Sequence, residues 1–476
     1  TWIHTHPTDD QGAYQVIRLD FSKVSGDISC AEGDFNQSVG LEILLCARKY
    51  QKFYDQDFLD RLSGIDTAKN RLDYYCSEAA IRGYRLYLLV DEYDNFTNTI
   101  LSGNGRDRYD EITHSDGFLR SFFKVVKTGF DRIFLTGISP MTLNDITSGF
   151  NIATNLSHNP LYNDMLGFST ADVRTMVEYY QENGFLQGQS PDEIIDTMAP
   201  WYDGYCFSHS AWQSSSRVFN SYMVTSYLNA YAELGTPPED MVNSNVLTDY
   251  DRLREIALSD RSGNHDDDSL TGCVSQLTCG GIFNQKIVDS YPASALRYPD
   301  IFQTFLFHLG LLTVTGSRAG SPVLGIPNLN VRIMCWDYMQ KFAGDILARE
   351  DLAEISRAFE RAAFEGDFMG LLETVTAKCA EACSNRQLVN REGLFQSFFL
   401  AFVSLNSIYS VAPEIETSHG YTDLLLFPRP NSSGVLHSYI IELKYMNTAG
   451  NDADRELRRR EAEDQLKRYA SDCKIP

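Results

Sequence analysis

The first 140 residues alternate short apolar segments with segments of helical periodicity, and this alternation limits the fold more than any other feature. Three segments predict buried strands, namely YQVIRLDFS (14–22), RLYLLVDEYD (85–94) and DRIFLTGIS (131–139). The segments between them predict helices at 38–54, 67–84 and 117–130 and a polar loop at 98–111. Strands that are apolar on both faces and separated by helices are typical of parallel sheets covered by helices. We therefore predict an α/β fold built on a parallel sheet.

The pattern becomes mainly helical from about residue 169. The segment STADVRTMVEYYQENG opens on a Ser/Thr helix cap, and the apolar run at 301–314 predicts a buried helix that continues into a strand. A pair of helices is predicted at 350–383. We therefore expect the chain to divide into three regions: 1–168, 169–384 and 385–476.

The chain is strongly acidic, but its charge is unevenly distributed. The net charge is −23 over 476 residues, which excludes a nucleic-acid footprint over the whole surface. Residues 385–476 hold 11 Lys and Arg against 12 Asp and Glu, so the rest of the chain carries −22. We expect nucleic acid to bind, if anywhere, at the C-terminal region. Protein partners are expected at the acidic N-terminal part.

Several other classes of protein are disfavoured by the sequence. No apolar run approaches the roughly 18 residues of a membrane-spanning helix, and residues 1–14 lack the features of a signal peptide. The ten cysteines include no CxxC pair, which favours reduced thiols over a zinc site. We expect a protein that is not secreted, has no membrane partner, and is cytoplasmic, or nuclear in a eukaryote.

Charged residues flank the apolar strands of YTDLLLFPRPNSSGVLHSYIIELKYMN (421–447). Asp423 and Glu442 are equally distant from the centre of RPNSSG (429–434), a segment rich in turn-forming residues, so a hairpin turning there places them opposite each other. Glu442 and Lys444 are two residues apart and therefore share one face of a strand. The three side chains are expected to converge on one edge of a sheet.

Two interpretations of this trio remain open. In the first, Asp423 and Glu442 hold Mg²⁺ or Mn²⁺, which polarises a phosphoryl oxygen, while Lys444 orients the attacking water and offsets developing negative charge. In the second, the strand lies at the surface and its charged residues only face water, because a D…ExK spacing also occurs by chance.

The following helix adds a second pattern. In AEDQLKRYA (462–470), Gln465 and Tyr469 are four residues apart and so lie on one helix face. Together with Asp423 and Glu442-Leu443-Lys444, they resemble the PD-(D/E)xK nuclease superfamily, in the branch with a RecB-like QxxxY helix. The resemblance covers about 390–476.

This resemblance implies an α/β restriction-endonuclease-like domain that hydrolyses phosphodiester bonds of nucleic acid. It implies that the metal ligands are Asp423 and Glu442, that Lys444 serves the water, and that Gln465 and Tyr469 support the site. In the family, a helix at the start of the domain often supplies another acid. Glu392, on the helix predicted at 390–407, matches that role, and Glu416 is its competitor.

An acidic pair ends one of the predicted N-terminal strands. Asp91 and Glu92 directly follow the apolar run LYLLV (86–90). In P-loop ATPases this is the Walker B arrangement, in which the Asp reaches Mg²⁺ through water and the Glu orients the hydrolytic water. The alternative is an acidic start to the next helix, which the helix dipole stabilises.

Three neighbouring segments favour the ATPase interpretation. The stretches at 134–169, 200–207 (PWYDGYCF) and 324–332 (LGIPNLNVR) resemble the AAA-ATPase-like family, of the STAND type, over about 14–476. This resemblance implies a P-loop NTPase-like sheet, a helical lid or winged-helix-like middle region, and a fused nuclease-like domain. It also implies that Thr136 is a sensor-1-like polar residue, with Ser139 as the alternative.

The Walker A motif GxxxxGK[ST] does not occur in the sequence. In the family this phosphate loop precedes the strand that corresponds to 14–22, so we expect it to lie before residue 1 of an N-terminally truncated chain. Walker A supplies the amide cradle and the lysine for the phosphates. ATP is therefore expected at Asp91, Glu92 and Thr136 only if that segment is present.

Two hypotheses about function follow. The first is an AAA-ATPase-like switch or motor joined to a Mg²⁺-dependent nuclease. The second is a non-catalytic protein-interaction or nucleic-acid-binding scaffold with degenerate ATPase and nuclease folds. The intact Asp423, Glu442 and Lys444 trio favours the enzyme, whereas the acidity of the first 384 residues and the absent Walker A motif favour the scaffold.

Overall fold

The computed structural model describes most of the chain. The described residues are 2–27, 29–104, 106–114, 117–146, 153–213, 217–238, 241, 282–283, 286–332, 334, 349–384, 403, 408–417, 420–428, 434–444 and 452–469. Within this part of the chain, no helix is long and apolar enough to cross a membrane.

Three parallel strands form the N-terminal sheet. They lie in the order β1 (Gln15–Asp20), β2 (Leu86–Asp91) and β3 (Arg132–Leu135). One face is buried and mainly apolar, and Ile17 and Leu88 on it are completely buried. The predicted strands and their parallel pairing are confirmed.

Helices surround this sheet. They are α1 (Trp2–Thr5), α2 (Ala31–Lys49), α3 (Gln56–Ser63), α4 (Ala68–Ile81), α5 (Asn95–Asn104), α6 (Arg106–Thr113), α7 (Phe118–Gly129) and α8 (Met141–Ile146). The first predicted helix, at 38–54, lies instead at 31–49. It begins earlier because Glu32 and Asp34 stand in its first turn, where acidic side chains interact favourably with the helix dipole.

The prediction of a loop at 98–111 is wrong, because α5 and α6 occupy most of this segment. Glycines and polar residues dominate the segment and suggested a loop. The apolar residues, however, recur at helical spacing and are buried in the core: Phe96, Ile100, Leu101, Tyr109 and Ile112. Burial of these five side chains outweighs the cost of about 1 kcal/mol for each helical glycine.

The second face of the parallel sheet is only partly covered. The register places Arg18, Leu89 and Phe134 in one row across the three strands on this face. Phe134 is 40% exposed, and β3 is the least buried of the three strands. Parallel sheets are ordinarily covered on both faces, so this half-exposed face is unusual for the fold.

The middle region contains a helical cluster with a core of its own. Its helices are α9 (Thr170–Glu182), α10 (Pro191–Tyr202) and α11 (Ser221–Leu234). The cap predicted for α9 is confirmed, since Ser169 and Asp172 form a reciprocal capping box. Ser190 and Glu193 form the same arrangement at α10.

A second part of the middle region packs against the N-terminal core. It contains α12 (Pro299–His308) and a small antiparallel sheet of β4 (Ile282–Phe283), β5 (Thr313–Arg318) and β6 (Ser321–Gly325). The buried helix running into a strand, predicted at 301–314, is therefore confirmed. Asp145 joins the two parts, because its Oδ2 accepts hydrogen bonds from Tyr109 Oη and Ala293 N, each at 2.9 Å.

Two histidine rings meet where the segment after α8 contacts α12. The ring centroids of His158 and His308 are 4.9 Å apart. His158 Nδ1 lies 2.9 Å from Asp289 Oδ1, and His308 Nδ1 lies 2.8 Å from the Thr304 carbonyl oxygen. Both Nε2 atoms are buried and have no hydrogen-bond partner among the described residues. Burial lowers the pKa of His158, and burial together with the His158 ring lowers the pKa of His308 to about 4.

The C-terminal region contains an antiparallel sheet in the order β7 (Tyr409–Thr417), β8 (Gly420–Pro428) and β9 (Tyr439–Ile441). The β8–β9 register pairs Leu424 with Ile441 and Leu426 with Tyr439. This is the antiparallel register that was predicted, so the pairing of the two strands is confirmed, while 429–433 of the predicted turn lie outside the described residues.

Two helices share one hydrophobic core with this sheet. They are α13 (Arg349–Glu365) and α14 (Phe368–Ser384), which confirm the predicted helical pair. Phe359 of α13 is buried beside Tyr409, and Tyr439 Oη donates to the Ala362 carbonyl oxygen at 2.6 Å. The last described helix is α15 (Asp452–Tyr469). The boundaries at 168 and 384 stay a prediction, while α13 and α14 pack with the C-terminal strands.

Candidate active site

Glu442 and Lys444 follow directly after β9. The strand is shorter than predicted, because the ladder ends where the apolar run Tyr439–Ile441 ends, and the charged pair lies just beyond it. Lys444 Nζ donates a hydrogen bond of 2.6 Å to Glu442 Oε1. The two residues therefore contact each other, as their spacing predicted.

The Glu442 carboxylate is deeply buried and only half satisfied. Its side chain is 3% exposed, whereas that of Lys444 is 26% exposed. Glu442 Oε2 is buried and has no hydrogen-bond partner among the described residues. A buried carboxylate oxygen without a donor carries a desolvation penalty of about 1–3 kcal/mol or more. Such an atom is a strong candidate for contact with a cation.

The strand register brings Asp423 to the same place. Leu424 pairs with Ile441, and continuing this register by one residue places Asp423 opposite Glu442. Cross-strand partners have Cα atoms about 4.5–5.5 Å apart in antiparallel sheets. Asp423 and Glu442 thus occupy neighbouring positions at the end of the β8–β9 ladder.

A further acidic residue lies in line with them. Pro413 pairs with Leu424 and Ile415 with Thr422, without a register shift, so Glu414 of β7 lies opposite Asp423. The sequence reasoning missed Glu414. The signal in the sequence was the segment Ser418-His419-Gly420, which contains turn-forming residues and has Glu414 and Asp423 at nearly equal distances on its two sides.

The other predicted C-terminal residues are less closely connected to this site. Gln465 and Tyr469 both lie on α15, as predicted, and Tyr469 is 3% exposed. No hydrogen bond or ion pair between described residues links either of them to Glu442 or Lys444. Glu392 lies outside the described residues. Glu416 lies on β7 opposite Tyr421, two residues along the strand from Glu414.

The N-terminal candidates meet at the carboxyl end of β2. Thr136 Oγ1 donates to Asp91 Oδ1 at 2.6 Å, and Arg18 Nη2 lies 3.4 Å from Asp91 Oδ2. The Thr136 carbonyl oxygen accepts from Tyr93 N at 3.0 Å, which holds the two strand ends together. Asp91 is about half exposed. The structure thus brings Asp91 and Thr136 into contact.

Glu92 and Ser139 are held differently. Glu92 has a left-handed backbone, with φ of 51°, and its Oε2 accepts from Asn95 Nδ2 at 2.6 Å. Ser139, the alternative to Thr136, is 2% exposed, and its backbone N–H donates to Asp94 Oδ2 at 2.9 Å. Ser139 therefore lies away from Asp91, in contact with a different carboxylate.

Asp94 is a buried residue that the sequence reasoning did not single out. It is fully buried, and it accepts hydrogen bonds from the backbone N–H groups of Ile138 and Ser139 and from Asn98 Nδ2. Burial raises the pKa of Asp94, and these donors oppose the rise. A Cβ on Gly137 would lie 2.5 Å from Asp94 Oδ1, so the loop requires glycine there.

Comparison with known families finds a match in each of two parts of the chain. Residues 1–147 match the predicted AAA-ATPase family (AAA-ATPase-like), and residues 390–475 match the PD-(D/E)XK nuclease superfamily. The chain joins an AAA-ATPase-like domain to a PD-(D/E)XK nuclease superfamily domain. No curated protein matches the chain.

In the PD-(D/E)XK domain, the Glu442 carboxylate has the chemistry of a ligand for a divalent metal ion. Carboxylate oxygens are the ligands that Mg²⁺ and Mn²⁺ prefer, and Glu442 Oε2 is buried without a partner among the described residues. Among residues with described side chains, no group of three His, Cys, Asp or Glu residues could hold a metal ion. The Asp423 side chain is outside that description, so the fit rests on Glu442 and on the register.

In the AAA-ATPase-like domain, two of the predicted nucleotide-binding residues meet at one edge of the sheet. Asp91 and Thr136 occupy the carboxyl ends of two neighbouring parallel strands, which is where α/β sheets bind ligands. No Walker A sequence occurs in the 476 residues, so these residues alone supply no phosphate cradle. Bound ATP is not supported by the residues present.

Proposed function

We propose that this chain is a metal-dependent nuclease that hydrolyses phosphodiester bonds at its PD-(D/E)XK domain. One observation carries the proposal: Glu442 has a buried carboxylate oxygen that lacks a partner among the described residues, beside Lys444 and next to the register position of Asp423. A structural carboxylate would be expected to have donors for both oxygens, because leaving one unsatisfied destabilises the fold.

The proposed roles follow from the chemistry of each side chain. Asp423 and Glu442 bind Mg²⁺ or Mn²⁺, which supplies a polarised phosphoryl oxygen and a more acidic water when it is bound. Lys444 orients the attacking water and stabilises the negative charge that develops in the transition state. Its ion pair with Glu442 holds the ammonium close to the carboxylates.

The surrounding residues are proposed to support this centre. We assign Glu392 as a further acidic ligand and Gln465 as a polar contact from α15. Tyr469 is buried, which supports a packing role in addition to any phosphate contact. The near-neutral C-terminal region is the proposed nucleic-acid surface, since the rest of the chain carries almost all of the net negative charge.

The AAA-ATPase-like domain is proposed to act as a nucleotide-driven switch or motor for the nuclease. If a phosphate loop were supplied, Asp91 would hold Mg²⁺ through water, Glu92 would orient the hydrolytic water, and Thr136 would contact the γ-phosphate. These roles require a phosphate loop in addition to the residues present. The half-exposed face of the parallel sheet offers room for a further covering element.

A non-catalytic scaffold is the second candidate, and one observation favours it. Asp91 already contacts Thr136 and Arg18, so its oxygens have partners without any nucleotide. In that case the acidic N-terminal part binds protein partners and the nuclease fold only holds nucleic acid.

The test is cleavage of single- and double-stranded DNA and RNA by the full chain with Mg²⁺ or Mn²⁺. We expect cleavage that is abolished by EDTA and reduced at least about 10³-fold in Lys444→Ala, because charge stabilisation at the transition state is lost. Arg61→Ala, which removes an exposed positive charge from α3 in the N-terminal region, is the matched control. If the folded wild-type chain cleaves none of these substrates, either alone or with an added phosphate-loop segment, the result would favour the scaffold.

A further inference from the structure

Three acidic positions lie in one row across the C-terminal sheet. The register places Glu414 of β7 opposite Asp423 of β8, and Asp423 opposite Glu442 after β9. Directly opposed residues on neighbouring strands share one face of a sheet. We call Glu414, Asp423 and Glu442 the acidic row.

Such a row is unfavourable without a cation. Like charges directly opposite each other on adjacent strands destabilise a sheet, and here the repulsion acts twice, on either side of Asp423. Lys444 neutralises one oxygen of Glu442, but Oε2 of the same carboxylate remains buried without a partner among the described residues. A bound cation would remove both the repulsion and the unsatisfied oxygen.

The types of residue in the row also suit a shared ion. Neighbouring Cα atoms in the row are about 5 Å apart, so the outer two are about 10 Å apart. The two outer residues are glutamates and the central one is an aspartate, so the residue type with the longer side chain occupies each outer position of the row. Hard divalent cations accept several carboxylate ligands of this kind.

We propose that Glu414 is a metal ligand that completes a three-carboxylate site with Asp423 and Glu442. This inference rests on the proposed nuclease function. It adds to the proposed site a metal ligand that the D…ExK pattern does not contain. It also distinguishes Glu414 from Glu416, which shares the strand and its face but lies opposite Tyr421.

The test compares Mn²⁺ binding by the full chain, measured by isothermal titration calorimetry without nucleic acid. We expect Glu414→Gln to weaken Mn²⁺ binding at least about tenfold, as Glu442→Gln does, because each removes one anionic ligand. Glu416→Gln is the matched control, with the same chemical change two residues away, and should bind like the wild type. Wild-type affinity in Glu414→Gln would overturn the inference.

Two further measurements separate the possible failures. The thermal midpoint in EDTA should be unchanged or higher for Glu414→Gln, since a like-charge repulsion is removed; a lower midpoint would make Glu414 a structural residue and overturn the inference. Cleavage assays distinguish the two proposals. If Glu442→Gln loses cleavage while Glu414→Gln keeps wild-type Mn²⁺ dependence, only the role of Glu414 falls. If the wild type neither binds Mn²⁺ nor cleaves, both fall.

Discussion

The two acidic sites of this chain differ in how their oxygens are satisfied. At the N-terminal sheet, Asp91 is about half exposed and contacts Thr136 and Arg18. After β9, Glu442 is almost completely buried, and one of its oxygens has no described partner. Both belong to sequence patterns that bind magnesium in other proteins. Only the second site carries an energetic cost that a bound ion would relieve.

The difference matters because solvent can satisfy Asp91 but not Glu442. An exposed ion pair contributes between zero and about 1 kcal/mol, so Asp91 can change partners at little cost. A buried carboxylate oxygen that has no hydrogen-bond donor cannot be satisfied by water, because water does not reach it. Under the proposed function, the C-terminal site binds its ion with the residues present, whereas the N-terminal site needs a phosphate loop in addition.

The largest expected effect separates the two sites directly. Glu442→Gln should reduce metal-dependent cleavage at least about 10³-fold, because it removes an anionic ligand and the partner of Lys444. Asp91→Asn should leave cleavage by this chain within about twofold of the wild type. The measurement is initial cleavage rate at saturating Mn²⁺. Equal losses of cleavage rate in both variants would mean that the two sites act together, which would contradict the difference described between them.

A buried polar atom that lacks a partner among the described residues does not by itself mark a binding site. His308 has such an atom, and its expected effect is on the pH dependence of stability. Its folded-state pKa is about 4 against an ordinary value of 6.5, so the unfolded chain binds more protons between these values. The free energy of unfolding should therefore fall by about 3 kcal/mol as the pH drops from 6.5 to 4. Denaturant unfolding across this range should show a flatter profile in His308→Gln. If His308→Gln had the same pH profile of unfolding as the wild type, the loss of stability at low pH could not be assigned to His308.

The smallest expected effects have opposite signs at two buried carboxylates. Asp94→Ala should lower the free energy of unfolding by about 2–3 kcal/mol, because the N–H groups of Ile138 and Ser139 lose their acceptor. Glu442→Met should raise it by about 1 kcal/mol in EDTA, because an unpaired carboxylate oxygen is removed and Lys444 can still reach water. Thermal or urea unfolding measures both. Destabilisation by Glu442→Met would indicate a structural carboxylate.

Much of the fold could be predicted from local patterns. The three parallel strands, the Ser169 cap and the β8–β9 register all depend on periodicity or on the spacing around a turn. The register of a hairpin is a matter of arithmetic once its turn is located, which is why Asp423 and Glu442 could be paired in advance. The same arithmetic applied to the β7–β8 turn would have included Glu414.

Other features depend on tertiary packing and could not be predicted in this way. The helices α5 and α6 carry glycines and polar residues, and only the buried aromatic and aliphatic side chains explain them. In the sequence, Asp94 is one more acidic residue after Asp91 and Glu92. Its role is evident only from the structure, in which the 136–139 loop folds back over it. Which oxygen of Glu442 lacks a donor is likewise a property of the assembled structure.

The packing of α13 against the C-terminal strands also bears on how such a chain can be rearranged during evolution. Leu436 N donates to the Ala363 carbonyl oxygen, and Tyr439 reaches Ala362, so the strand leading to Glu442 is held by the end of α13. A gene fusion that broke the chain at residue 390, where the nuclease family match begins, would leave this support behind. The smallest segment that could move to a new protein with β9 still supported in this way begins at Arg349, at the start of α13.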